Sequence, residues 1–169
     1  MKNYPASGYI SSKFDTLAES WNGQYNPQQR KGIILHHLLE KINQISEADK
    51  LMEEFVQEGQ IRESEKEEIK RWLLTTLEQP QIKNWMETAA EILSEQELIT
   101  SAGKILRPDK LFIFEDKAVL LDFKFGEEEI TYEQQLQEYA SNLIQMGFYS
   151  SVEPYIYYAQ TGQMVNLTK

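Results

Sequence analysis

The chain has 169 residues, a length that fits one compact domain able to bury a real core. With 41% hydrophobic and 26% charged residues it has the balance of an ordinary globular protein, neither disordered nor fibrous. The 27 acidic residues outnumber 17 basic ones for a net charge of -10, which argues against a broad basic surface for gripping DNA. Zero cysteines exclude disulfides, thiolate zinc sites, cysteine-ligated iron–sulfur clusters and a cysteine nucleophile. No apolar run approaches the ~18 residues that span a bilayer, and the N-terminal MKNYPASGYISSK lacks a signal peptide's apolar stretch. The expectation is a soluble protein without a membrane partner, for which the cytoplasm is a fitting location.

Met1 to Tyr25, rich in Ser, Gly, Asn and Tyr without a sustained period, is expected to form an irregular arm (residues 1–25), with 26–169 as a single domain. Asn26-Pro27 places a cap residue before a first-position proline, and Ile33, Leu35, Leu39 and Ile42 carry an apolar helical stripe toward Ile45. Ser46 to Asp49 opens a second helix with Leu51, Phe55 and Val56 inside and Gly59 as its C-cap. Ser64 with Glu67 reads as a capping box for a third helix bearing Ile69, Trp72, Leu73 and Leu77. Pro80 starts a fourth, through Trp85, Met86, Ala89 and Leu93, with Trp72 and Trp85 assigned to the core. Leu98-Ile99-Thr100 is expected to be a strand, followed by a turn at Ser101–Lys104. The apolar runs Leu111–Phe114 and Ala118–Phe125, separated by Glu115-Asp116-Lys117, predict an antiparallel hairpin of central strands. Thr131 with Gln134 caps a helix through Leu136, Tyr139, Ala140, Leu143 and Ile144 to Gly147. Val152–Ala159 is a closing strand that Pro154 assigns to a sheet edge.

If the hairpin turns on Glu115-Asp116 so that Phe114 faces Lys117, counting back by equal steps sets Asp109 opposite Asp122. Two facing carboxylates repel, and a divalent cation relieves that repulsion. Strand alternation puts Asp122 and Lys124 on one face, so an ammonium accompanies the pair. Oxygen ligands of this kind suit Mg²⁺ or Mn²⁺, which polarise a phosphate and lower the pKa of a bound water, while the lysine orients that water or offsets developing charge.

These residues resemble the RecB-like nuclease domains of the PD-(D/E)xK superfamily, found at the C-termini of UvrD/Rep-type helicase–nucleases. The resemblance runs from Lys31 to Ala140. Lys31-Gly32-Ile33-Ile34-Leu35-His36 is similar to that family's RGxxxH segment, and Glu40 falls on its following LE. Glu95-Gln96-Glu97-Leu98 resembles its short E-x-x-hydrophobic strand, with Glu95 in the glutamate position and Glu97 as a near neighbour. Arg107-Pro108-Asp109-Lys110-Leu111 matches the RPDRL-like strand, Leu121-Asp122-Phe123-Lys124 the V/L-D-Y/F-K strand, and Tyr132-x-x-Gln135-x-x-x-Tyr139 the YxxQxxxY helix. Phe125 departs from the family, which carries a small hydroxyl residue after the lysine.

The resemblance implies an α/β (α+β) fold: a restriction-endonuclease-like PD-(D/E)xK core, with a mixed central sheet flanked by helices and a helical N-terminal half. It further implies a Mg²⁺- or Mn²⁺-dependent deoxyribonuclease, exonuclease-like, acting in repair and recombination on single-stranded DNA ends supplied by a UvrD/Rep-type helicase in cis or trans. Asp109, Asp122, Lys124 and Gln135 are its catalytic positions and His36, Asp109 and Asp122 its metal ligands. Glu95, Glu40, Tyr132 and Tyr139 support them. His37 competes with His36, but lies ~100° around the helix and off the motif spacing. Glu40, one turn after His36, is placed to orient its imidazole or to form a surface ion pair. No GxxxxGK[ST] phosphate loop occurs, so the residues encode no helicase motor. The alternative class is a catalytically silent nuclease-fold module that binds DNA or a helicase; an RNA nuclease with the same metal chemistry is a third.

Overall fold

Pro27 begins the first helix, α1 (Pro27–Lys41), as a proline with no N–H to satisfy can. In the computed structural model the described residues are 27–94, 97–99, 105–125 and 130–168. The expected arm, the cap Asn26, the turn at Ser101–Lys104 and Glu95 lie outside them. α1 stops at Lys41, short of the expected Ile45, because Ile45–Glu47 is a 3₁₀ turn. The Glu47 carboxylate accepts hydrogen bonds from the backbone N–H groups of Asn43 and Gln44, which turns the chain into α2 (Ala48–Gln57). Gly59 then closes α2 with φ 71°, as a left-handed C-cap requires. The same device opens α3 (Lys66–Leu77): Glu65 accepts from the N–H of Arg62, in place of the expected Ser64–Glu67 box.

α4 (Pro80–Thr88) is capped by Gln79, whose side chain accepts from the N–H groups of Gln81 and Ile82. It does not continue to Leu93. Ala89 turns extended, and Glu91–Ser94 forms strand β1. The helical phase of Ile92 and Leu93 is overridden by pairing with β4 (Lys110–Ile113), where Ile92 opposes Phe112 and Leu93 opposes Leu111. β2 (Leu98–Ile99) and β3 (Ile105–Leu106) form a separate antiparallel ribbon.

β5 (Lys117–Lys124) returns antiparallel to β4, then α5 (Ile130–Gln145) carries the chain over to β6 (Ser151–Tyr158), which lies parallel to β5. β7 (Gln163–Asn166) closes a five-stranded mixed sheet in the order β1-β4-β5-β6-β7. The described residues therefore form a mixed α/β fold, with helices between Pro27 and Thr88 preceding the sheet.

β6 is interior, which corrects the edge assignment made from Pro154. The proline is tolerated because β7 ends at Asn166: the Pro154 carbonyl accepts from the N–H of Leu167, and the return bond that proline cannot donate comes from Gln137 Nε2, 3.0 Å from the Leu167 carbonyl.

Alternation along the strands divides the core. Phe112, Val119, Leu121 and Phe123 face α1–α4, where Trp85 packs on Phe112 and Tyr155 as expected of a core tryptophan. Leu111, Ala118, Leu120 and Ile156 face Leu136, Tyr139, Ala140 and Leu143 of α5. No helix among the described residues is long and apolar enough to cross a membrane.

Candidate metal centre

The centre is built where the β4–β5 ladder runs out. Lys110 opposes Leu121 and Ile113 opposes Ala118, with the N–H of Phe114 donating to Lys117 O, so the hairpin has the register expected from its turn. Extended by one step, that register sets Asp109 across from Asp122. One step further, Pro108 has no N–H to offer Phe123, and the ladder stops. Beyond the ladder the Phe123 N–H is taken by a side chain: Asp109 Oδ2 accepts it at 2.7 Å. Asp109 is 5% exposed. Burial, and then the charge of Asp122, push its carboxyl up to about 7 against the opposing effects of His36, the Phe123 N–H and Lys124.

α1 supplies the other side of the centre. His36 and Glu40 stand one helical turn apart, and the imidazole Nε2 lies 2.5 Å from Glu40 Oε1 and 3.4 Å from Asp109 Oδ1. His37 reaches Glu40 from the far side, Nδ1 to Oε2 at 3.4 Å. One ligand atom from each of His36, Glu40 and Asp109 lies within 4.8 Å of the other two. Of the two histidines, His36 is the one in this group. Glu40, 7% exposed, stands in it directly rather than only behind the imidazole.

Asp122 and Lys124 are half-buried and form an ion pair along β5, on the face that alternation assigns them. Asp122 is outside the three-residue group, though close enough for its charge to act on Asp109. The rings of Phe125 and His36 pack nearly perpendicular, at a centroid distance of 6.5 Å. Gly32 makes that approach possible, since a Cβ at position 32 would stand 3.0 Å from Phe125 Cβ.

The remaining expected residues are distributed differently. Gln135 is exposed on α5, whereas Tyr139 is 1% exposed in the core, its phenol pushed up to about 12 mainly by burial. Tyr132 lies within α5, its side chain outside the described residues, as is the whole of Glu95. Glu97 is exposed and 3.8 Å from Arg107 Nη1, a surface ion pair.

Lys110 was not foreseen as part of the site. It is buried beside Asp109, with its Nζ against oxygens of α1's end and β1, and burial pushes its ammonium down to about 8. The available signal was weak: a lysine between Asp109 and the apolar run Leu111–Phe114.

Two carboxylates and an imidazole in reach of one another, one carboxylate buried at an energetic cost to its anion, form a donor set suited to a hard or borderline divalent cation. No protein-family model matches the chain, and comparison with curated proteins finds no match.

Proposed function

We propose that the chain is a Mg²⁺- or Mn²⁺-dependent DNA nuclease module with a PD-(D/E)xK core of the RecB-like kind. One observation carries the reading: His36, Glu40 and Asp109 converge at the end of the strand pair whose other member bears Asp122 and Lys124. His36, Glu40 and Asp109 would hold the cation, with Asp122 adding charge across the ladder. A divalent ion held there supplies polarisation of a phosphate and a water of lowered pKa.

The residues themselves do the rest. Asp109 gives up the proton that burial favours so that its anion can serve as a ligand. Phe123 N–H fixes one of its oxygens and leaves Oδ1 toward His36. Lys124, held by Asp122, offsets negative charge on a phosphate oxygen and orients a water beside it. Gln135, exposed on α5, is available to a bound strand. The substrate proposed is DNA, with single-stranded ends delivered by a UvrD/Rep-type helicase in cis or trans. A net charge of -10 supports that dependence, because phosphate contacts dominate unaided DNA affinity.

The test is Mn²⁺-dependent degradation of end-labelled single-stranded and duplex DNA, with a matched RNA, by the wild-type chain and by Lys124→Ala purified in parallel. Cleavage by wild type alone supports the reading and reports strand preference. Equal cleavage by both refutes the assignment. Divalent-ion binding without turnover, even alongside a helicase, favours the silent binding module instead.

A further inference from the structure

Lys110 is 3% exposed at the start of β4, ahead of the apolar Leu111, Phe112 and Ile113, and four oxygens surround its Nζ. They are the carbonyl of Glu40 at 3.1 Å, the carbonyl of Ile42 at 2.6 Å, Asn43 Oδ1 at 2.8 Å and Ser94 Oγ at 2.7 Å. An ammonium has three N–H donors and nothing to accept with, so this pocket is complementary to it. Two of the acceptors are carbonyls at the C-terminal end of α1, which a helix leaves without partners of its own and where its dipole favours a cation. Ser94 lies directly opposite Lys110 in the β1–β4 register. One buried charge thus ties the end of α1 to two strands.

That tie runs through the centre described above. Lys110 follows Asp109 in the chain, and one of its acceptors is the main chain of Glu40. His36 and Glu40 come from α1, Asp109 from the start of β4, and their separation depends on how the helix end is set against the strand. We infer that Lys110 is a positioning residue for the metal centre: through the carbonyls of Glu40 and Ile42 it sets His36 and Glu40 against Asp109 at cation-binding distance. The inference rests on the metal-site part of the proposed function.

Electrostatics and positioning give opposite signs. Removing an ammonium near a cation site, with geometry unchanged, tightens cation binding. Losing the tie separates the ligands and weakens it. Lys110→Met keeps the length of the side chain and deletes its donors, and the dissociation constant of Mn²⁺ can be read calorimetrically or from the electron paramagnetic resonance of the free ion. Substitutions of groups that orient metal ligands cost ~10–100-fold in affinity, and Lys110→Met is expected in that range. Val152→Ala, a core truncation at the opposite end of β5's partner strand, should lower the melting temperature and leave Mn²⁺ affinity unchanged.

Unchanged or tighter binding in Lys110→Met, or equal weakening in Val152→Ala, overturns the inference. If Lys110→Met does not fold, Asn43→Ala combined with Ser94→Ala removes two acceptors while keeping the charge, and a several-fold weakening is expected; wild-type affinity there overturns it too. Absence of Mn²⁺ binding by the wild-type chain removes the metal site itself and this inference with it. Binding by wild type and equally by Lys110→Met defeats the inference alone.

Discussion

The backbone N–H of Phe123 donates to Asp109 Oδ2 at 2.7 Å, so one carboxylate oxygen closes the hairpin while Oδ1 lies 3.4 Å from His36 Nε2. Asp109 therefore has a structural and an electrostatic duty that substitution can separate. Asp109→Asn keeps an acceptor for Phe123 and removes the anion. It should leave the metal-free protein more stable than wild type at neutral pH, where wild type carries the buried anion, abolish Mn²⁺ binding and lower DNA cleavage by ~10²-fold or more. Asp109→Ala also strands a buried N–H, at ~1–3 kcal/mol. Thermal melts with and without Mn²⁺, beside cleavage assays, distinguish the two; a cleavage-competent Asp109→Asn would contradict the assignment.

The same carboxyl sets a pH dependence. Its pKa is pushed up to about 7 in the folded chain from an ordinary 3.8, so between those values the folded state holds a proton that the unfolded state has lost. Stability contributed by that proton is present at low pH and is lost as pH rises toward 7. Lys110 acts oppositely at alkaline pH: its pKa is pushed down to about 8 from 10.5, the unfolded chain binds more protons in that window, and stability rises across it. Melting curves in a chelator should show wild type losing stability relative to Asp109→Asn between about pH 4 and 7. Added Mn²⁺, which binds the anion, should stabilise wild type more as pH rises. Parallel wild-type and Asp109→Asn profiles would exclude this role for Asp109.

Much of this arrangement is legible in the sequence because the hairpin turn fixes the register by counting: once Phe114 faces Lys117, Lys110 pairs with Leu121, and one further step leads to Asp109 and Asp122. Spacing alone also places Glu40 one turn from His36. What sequence misses is where tertiary pairing or side-chain reach decides. Ile92 and Leu93 keep helical phase with Trp85 and Met86 yet join the sheet, since β4 offers them partners. Pro154 sits inside the sheet because Gln137 donates the bond it cannot. The acceptors of Lys110 come from residues up to 70 positions away in the chain, which no local pattern reports.

Gly32 illustrates a cost opposite to intrinsic propensity. Alanine is favoured over glycine in a helix by ~1 kcal/mol. Here its Cβ would stand 3.0 Å from Phe125 Cβ, forcing α1 and the end of β5 apart. Gly32→Ala should therefore destabilise the protein by ~1–3 kcal/mol in denaturant titrations, and it should weaken Mn²⁺ binding because Phe125 packs against His36. A stabilised Gly32→Ala would show that the contact yields freely.

The Gln137–Leu167 bond makes a double-mutant cycle informative. Gln137→Ala removes the donor to the Leu167 carbonyl and should cost ~1 kcal/mol in the wild-type background. In a Pro154→Ala background, residue 154 supplies an N–H opposite Leu167, as the β6–β7 register directs, and the same truncation should cost less. Additive losses, measured by urea unfolding of the four variants, would mean that the amide does not stand in for the missing strand bond.

Lys124 offers the sharpest separation of chemistry from assembly. Its ammonium is ion-paired with Asp122, next to the centre but not among its cation ligands. Lys124→Met removes a positive charge from the neighbourhood of a cation site, so Mn²⁺ affinity should be equal to or tighter than wild type. Turnover should nevertheless fall by ~10²–10³-fold, the cost of losing one group that stabilises developing charge. This is the reverse of the signature expected for Lys110→Met, in which affinity itself declines. Cleavage rates at saturating Mn²⁺, set beside calorimetric affinities for the two variants, therefore assign one lysine to the reaction and the other to the geometry. A Lys124→Met chain that cleaves at the wild-type rate would instead leave the Asp122–Lys124 pair a structural ion pair at the end of β5.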